Sequence, residues 1–568
     1  MENFNRTKLM WASFLTLVAS GIGFATRTAA GGVWESSFNI NGEQFGQILG
    51  AGFLGFGLTI FFGGIIVEKL GYKLVLAVAF VMHLVSAVML LAAPTLFAGW
   101  HEADPATSTA YVFSLLFWSA FVFSLCQGLY EAVINPLIAQ LYPENKTHYL
   151  NILHAGWPGG MIIGGVFSAM FIGKDHWVAE IPWEFALSSF AVVVLAYGVM
   201  ALPEKFPAAV GESASDFSVV FSCFASLPFL LLIVLHGLIG YMELGVDSWV
   251  AKLMENLLPN AVLILAYTSL LMFVLRFFAG PIVHRINPIG LLFASSIIAC
   301  LGLLWLGSDI DSIAVIFLAA TFYSFGKAFL WPTMLGVAGE RWPQSGAVAM
   351  GALGAAGMLT VGQIGNPMIG TQQSYYMSTQ LEKDAPETFE RYVDRVQKKD
   401  EEGKVVKDKD GNDVLVKNSV GFFGFYKHAP INAARKNAAN SVHLTDDGKI
   451  DTEVKGVQKN SAGVITAVPS ISNAKLLKDE QKAELIANVE KDAPGVQAAN
   501  LSGGRKALTL TAYIPAAMGV GFLILLIYYR AIGGYKVLHV DEKGNLVEAD
   551  SHHDDKPEPD DKPEPDGE

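Results

Sequence analysis

Apolar residues in this chain come in long unbroken runs rather than in stripes. The stretch LVLAVAFVMHLVSAVMLLAA (74–93) holds one histidine and one serine among twenty positions. A run of about 20 residues that is apolar around the whole helix circumference crosses the hydrocarbon layer of a bilayer. Twelve such windows occur, roughly 9–33, 45–68, 73–94, 110–140, 149–173, 183–203, 226–250, 260–283, 288–307, 312–338, 346–371 and 508–531. Membrane strands would be about 9–11 residues long and would alternate. The pattern therefore predicts an all-α membrane protein of twelve transmembrane helices. The first window is too long for a signal-peptide core and lacks a small-residue cleavage pattern, so it reads as an uncleaved span.

The basic residues between the windows give an orientation. With the N-terminus inside, the cytoplasmic side receives Arg6, Lys8, Lys69, Lys73, Lys146, Lys205, Arg285, Arg341 and Lys536, and the opposite short loops receive Lys174 and Lys252. The positive-inside rule then places both termini in the cytoplasm, and a multi-pass protein of the cell (inner) membrane is expected. It also places 373–507 outside.

That segment breaks the pattern: 21 of the 39 Lys and Arg residues lie in it, nearly balanced by acids. ETFERYVDRVQKK and NAKLLKDEQKAELIANVEK have helical periodicity. KVVKDKDGNDVLVK reads as two short strands around an Asp-Gly turn, so a small α+β extracytoplasmic insertion is expected. The organisation expected is an N-terminal bundle (1–203), a cytoplasmic linker (204–225), a C-terminal bundle (226–372 and 508–533), the insertion 373–507 and an acidic disordered tail (534–568). The tail repeats DDKPEP twice and has nothing to bury.

Composition adds little chemistry. The chain is 52% hydrophobic and 16% charged, and its net charge of −13 reflects the tail, so no nucleic-acid partner is expected. Cys126, Cys223 and Cys300 have no CxxC spacing and read as packing residues. The acidic run 408–413 has its glycine, Gly411, at the wrong position for a calcium loop. No metal or cofactor is expected, and no nucleophile–base cluster suggests an enzyme.

The two halves of the chain match each other. GGIIVEKLGYKLVL (63–76) lies over AGPIVHRINPIGLL (279–292) without gaps, EAVINP (131–136) over KAFLWP (327–332), and IGF (22–24) over IGY (239–241). Windows one, two and four thus correspond to seven, eight and ten. Two six-helix halves in parallel repeat are the major facilitator architecture, which holds its substrate between the halves and alternates access by rocking.

Gly64, Glu68, Lys69, Gly71 and Lys73 in GIIVEKLGYK (64–73) resemble the cytoplasmic loop signature of the major facilitator superfamily, with Glu68 where the family has Asp. The resemblance implies a conformational latch. Glu131 ahead of Asn135-Pro136, followed by YPENKTHYLNILHAGWPGGMIIG, is similar to the fourth and fifth helices of the fucose–proton symporter family. LRFFAGPIVHRINP and WPTMLGVAGERW are similar to its eighth and tenth helices. Two positions depart from that family: SGIGFATRTAAGG (20–32) carries Arg27 and no acid, and His154 stands where the family has glutamine.

Ionisable residues inside spans are costly and mark functional sites. Here they are Arg27, Glu131, Glu243, Asp247, Arg276 and Lys327. Gln127, Glu131 and Asn135 share one helix face, as do Tyr323, Lys327 and Trp331. Glu131 and Lys327 occupy equivalent positions in the repeat and are expected to meet across the centre, either as a structural pair or as a gated proton site. Arg27 has two open readings, solute contact or a pair with Glu243. Asp247 reads as a solvated rim charge, Arg276 as a structural charge bonding helix ends, His154 and His236 as hydrogen-bonded core residues, and Trp157 and Trp331 as packing or sugar-stacking rings.

The sequence thus predicts a monomeric, proton-coupled (or sodium-coupled) symporter of a small polar solute, a sugar or sugar acid. Glu131 would carry the proton, and Arg27, Gln127, Asn135, His154, Glu243, Tyr323 and Lys327 would bind solute. Two other classes compete: an exporter of amphipathic compounds, and a receptor that binds solute without moving it.

Overall fold

The computed structural model describes residues 4–548 except 31–33, 35–36, 39–41, 172–176, 180, 210–220, 255–256, 258–261, 401–402, 412, 441, 446–447, 454–456, 473–476 and 541–545. The repeated acidic tail, Asn412 of the acidic run and the middle of the inter-bundle linker lie outside the described residues.

Among the described residues, ten helices are long and apolar enough to cross a membrane. They cover every predicted window except the fifth and the eighth, which hold interrupted helices. The fifth span is Lys146–His154 followed by Gly156–Phe171. The eighth is Val262–Arg276 followed, after a turn at Phe277 and Phe278, by the start of Ala279–Leu306. On the third span, Val78, Val81, Val85 and Val88 are exposed, the position of side chains that face lipid.

The internal repeat reappears in the backbone. Gly71, between spans two and three, has φ 74° and ψ 163°. Asn287, its partner in the ungapped alignment, has φ 56° and ψ 166° between spans eight and nine. Both have positive φ with extended ψ, a backbone conformation natural to glycine and sparsely populated by any other residue, asparagine included. Asn287 adds a cap, its Oδ1 accepting the Gly290 amide at 2.9 Å.

Close packing inside each half uses glycine. Gly156, Gly160 and Gly164 form a stripe along span five, and a Cβ on them would lie 2.5, 2.2 and 2.8 Å from the Phe14, Val18 and Ile22 carbonyls of span one. This is the small-residue contact by which membrane helices approach without a hydrophobic driving force. Gly240 of span seven meets Gly357 of span eleven in the same way, at 2.2 Å from its carbonyl oxygen.

The 373–507 insertion is not strung between the spans on linkers. Span eleven continues as Asn366–Asp384, and span twelve is preceded by the helix Asp479–Thr511, so the boundaries expected at 372 and 508 fall within helices. The two extensions pack along each other. Gln373 bonds Asn500 at 2.6 Å, and Met377, Leu381, Leu485, Val489 and Val496 form a buried core with Phe389 and Tyr392. Arg391 grips the fully buried Asp492 with its Nε at 2.9 Å, and this bond raises the Arg391 pKa above its ordinary value. The helix predicted over ETFERYVDRVQKK stops at Tyr392. Arg395–Gln397 instead pairs antiparallel with Leu415–Lys417, and a bridge between Lys407 and Asp413 closes the Asp-Gly turn. Strand pairing there competes with a helix whose C-terminal half has little to bury.

The tail likewise departs from expectation at its start. Leu538–Val540 and Leu546–Glu548 pair antiparallel, because this short segment has partners on the bundle, described next.

Candidate functional site

The spans divide the molecule into a terminal side, where the first span begins and the twelfth ends, and a cap side, where the insertion lies. On the terminal side the two halves are locked together. Thr147 donates to Glu340 Oε1 at 2.6 Å, and Tyr535 donates to Glu340 Oε2 at 2.6 Å. Lys146 Nζ reaches the Gly339 carbonyl at 2.9 Å and the Leu538 carbonyl at 3.3 Å. Asn151 bonds Thr333 at 3.1 Å. Glu68 Oε1 accepts the Ala347 amide at 3.1 Å, across a contact so close that a Cβ on Gly64 would lie 2.8 Å from the Ala347 carbonyl oxygen.

Toward the cap side the halves part around a cavity of about 530 Å³, lined from both bundles by Arg27, Phe53, Phe123, Gln127, Trp157, Trp249 and Asn366 among others. Phe56, Trp157, Leu244 and Met358 line this cavity and also a second void of about 30 Å³. They form an apolar floor between the two. Beneath it lie Glu131, His154, Glu243 and Arg276, with room for about one water.

Arg276 organises this lower cluster. A proline cannot supply the amide that would bond the carbonyl four residues before it. Pro158 so frees His154, and Pro332 so frees Ala328. Arg276 Nε donates to the Ala328 carbonyl at 2.8 Å, one terminal nitrogen donates to the His154 carbonyl, and the other meets Glu243 Oε1 at 3.1 Å. Its rigid fork serves three groups from three spans. His154 Nε2 lies 2.8 Å from Asn135 Oδ1, and Asn135 Nδ2 donates to Glu131 Oε2 at 3.3 Å.

The expected Glu131–Lys327 pair does not form. Lys327, fully buried, bonds Asp247. Asp247 is 5% exposed and so is not the solvated rim charge expected. One helical turn along span seven, Glu243 takes Arg276, so the acids at 243 and 247 on one face claim both cations. Nor does Arg27 pair with Glu243. Its guanidinium donates to Gly23 at 3.1 Å and Ser86 at 2.9 Å and lies 3.8 Å from the Phe123 ring centroid.

Residues 12–363 match the family model of the Major Facilitator Superfamily. The chain belongs to that superfamily. It is therefore a membrane transporter, built as two six-helix pseudo-repeats with an α+β insertion. Solved structures to which it is similar include the proton:xylose symporter XylE bound to 6-bromo-6-deoxy-D-glucose, at 13% identity and TM-score 0.54, covering 64% of this chain and 88% of that one. The E. coli fucose:proton symporter FucP is 19% identical, with 63% of this chain and 90% of that one covered at TM-score 0.48. The nucleoside transporter NupG is 13% identical, with 66% and 92% covered at TM-score 0.47. At such identities the likeness is one of fold. No curated protein matches the chain.

Of the residues singled out in the transporter's sequence, Arg27 and Gln127 line the large cavity, and Glu131, His154 and Glu243 line the void beneath it. Asn135, Tyr323 and Lys327 line neither. The Tyr323 hydroxyl donates to the Met242 carbonyl at 3.3 Å. Sequence reasoning missed Ser86 and Phe123, which hold Arg27, and Thr147, Glu340 and Tyr535, which lock the terminal side. A serine or phenylalanine in an apolar run has no distinguishing spacing. Glu340 did carry a signal, as an acid beside a base at the end of span ten.

Proposed function

We propose that this transporter is a proton-coupled symporter that moves a small polar solute, a sugar or sugar acid, across the cytoplasmic membrane by alternating access. The observation that carries this reading is a leftover charge. With Arg276 on Glu243 and Lys327 on Asp247, Glu131 is a buried carboxyl whose hydrogen-bond partner is the neutral Asn135. Two carboxylates face one guanidinium in the void, which leaves one negative charge that a single proton cancels. The site lies under the floor of the cavity, where a change in solute occupancy or in the packing of Trp157 bears directly on it.

Solute enters from the cap side and contacts Arg27 and Gln127, while the terminal-side lock holds the other exit shut. Rocking breaks that lock, with the loop latch of Gly64, Glu68, Lys69, Gly71 and Lys73 releasing the amide of Ala347. The Lys and Arg bias of the short loops puts the terminal side, and both termini, in the cytoplasm. A second reading, export of amphipathic compounds, draws on the aromatic residues lining the cavity.

Uptake into proteoliposomes under an imposed pH gradient tests the proposal. The wild type should accumulate solute against its gradient, and Glu131→Gln should only equilibrate it. Accumulation by Glu131→Gln equal to wild type rules out Glu131 as the coupling site. Accumulation driven by a sodium gradient in place of the pH gradient rules out the proton, and solute moving only out of the cytoplasmic face supports export instead.

A further inference from the structure

The same inventory of charges leaves one cation over. Arg27 is 4% exposed, and its Nε–H has no hydrogen-bond partner among the described residues. Its two recorded bonds go to a backbone carbonyl and to the Ser86 hydroxyl, both neutral. No aspartate or glutamate shares the large cavity with it among the described lining residues. A guanidinium enclosed by aromatic rings without a counter-ion is expensive, because burial removes its water and nothing of opposite charge replaces it.

Gln127 stands one helical turn from Phe123, the ring that Arg27 covers at 3.8 Å. Its amide nitrogen is also buried and unpartnered, and it lines the same cavity. Two residues with orphaned donors, one of them carrying a full positive charge, thus line the same cavity. On the facing wall Asn366 and Ser248 are neutral, and Trp249 offers an apolar face. A volume of about 530 Å³ falls within the ordinary range for small-molecule sites.

We propose that the solute is a small organic monocarboxylate, with its carboxylate on Arg27 and Gln127 and its body against the aromatic floor. The inference rests on the cavity being the solute site and names the class it takes: an anion, not a neutral sugar. Arg27 is then the specificity-determining residue, because an anion supplies the missing counter-charge and a neutral or cationic homologue does not. One proton on Glu131 together with one such anion makes the translocated load electrically neutral.

Binding to the purified full-length protein, read by quenching of tryptophan fluorescence, tests this without transport. The probes are gluconate, glucuronate, lactate and benzoate, each set against its neutral counterpart glucitol, glucose, propane-1,2-diol or benzyl alcohol, with glucosamine as the cationic member. At least one carboxylate should bind about tenfold or more tightly than its counterpart. That preference should fall to near unity in Arg27→Gln and survive in part in Arg27→Lys, which keeps the charge. The wild-type comparison stands by itself should Arg27→Gln fail to fold. The proposal is overturned if no carboxylate outbinds its counterpart, or if the preference persists in a folded Arg27→Gln. Arg27-dependent carboxylate binding without accumulation in proteoliposomes would remove the symport reading and leave this one. Accumulation of a neutral sugar unaffected by Arg27→Gln would do the reverse.

Discussion

Arg276 is bonded at once to a carboxylate and to two carbonyls that prolines have left without amides. Removing it as Arg276→Met leaves Glu243 charged and buried and the carbonyls of His154 and Ala328 unsatisfied. The expected loss of stability is about 3–5 kcal/mol, read as a lowered thermal midpoint in detergent. The proline argument makes a sharper forecast. In the Arg276→Met background, Pro158→Ala restores an amide to the His154 carbonyl and should recover about 1 kcal/mol. No recovery would mean that His154 did not depend on Arg276. The sequence showed Arg276 as a rare charge in a span, and Pro158 and Pro332 as helix breakers. It did not show that one side chain answers both, since residues 154, 276 and 328 meet only through the packing of three spans.

At the scale of elements, span one and span five approach as closely as their backbones permit. Gly160 has no room for a side chain, since a Cβ would lie 2.2 Å from the Val18 carbonyl oxygen, whereas Gly165, the next residue but four, has nothing within 4 Å. Gly160→Leu should therefore force the helices apart and cost at least the 1–3 kcal/mol typical of overpacking. Gly165→Leu should leave the thermal midpoint within the error of the wild type. Equal effects of the two would refute the close contact. The GWPGGMIIGG pattern made a glycine-rich helix legible in the sequence, but not which glycines face a neighbour and which face lipid, because both classes sit in the same apolar run. The cap shows the opposite limit. Its helices were visible by periodicity, yet its boundaries were not, because polar helices emerging from a membrane look like a new domain even when the backbone never leaves the helix.

For the whole molecule, the lock on the terminal side joins three parts of the chain. Lys146 and Thr147 come from the first half, Gly339 and Glu340 from the second, and Tyr535 and Leu538 from the segment after the last span. Arg341 adds a bond to the Lys536 carbonyl at 2.6 Å. The C-terminal segment therefore helps hold the two halves together on the terminal side. Ending the chain after Gly534 removes the Lys146–Leu538 hydrogen bond between the halves, worth about 1 kcal/mol. This should shift the balance roughly fivefold toward terminal-side opening. Spin labels at the terminal-side ends of spans four and ten would report it as a longer distance component, and an unchanged distribution would dismiss a role for the segment.

The sequence by itself determined the class of the molecule: apolar runs of span length, the ungapped repeat of 63–76 in 279–292, and the short list of buried charges. These follow from solvation, since a side chain's cost in hydrocarbon is a property of the residue and is legible wherever it stands. Who pairs with whom was decided only by the tertiary structure. Pseudo-symmetry suggested Glu131 with Lys327, but Glu243 and Asp247 lie a helical turn apart on span seven and take Arg276 and Lys327 instead. Coulomb attraction in a low-dielectric interior depends on ångströms, and those distances are set by helix rotation and packing that equivalent positions in a repeat do not fix. What remains after the pairing, a carboxyl at 131 and a guanidinium at 27, is the part of the molecule on which the proposed chemistry turns.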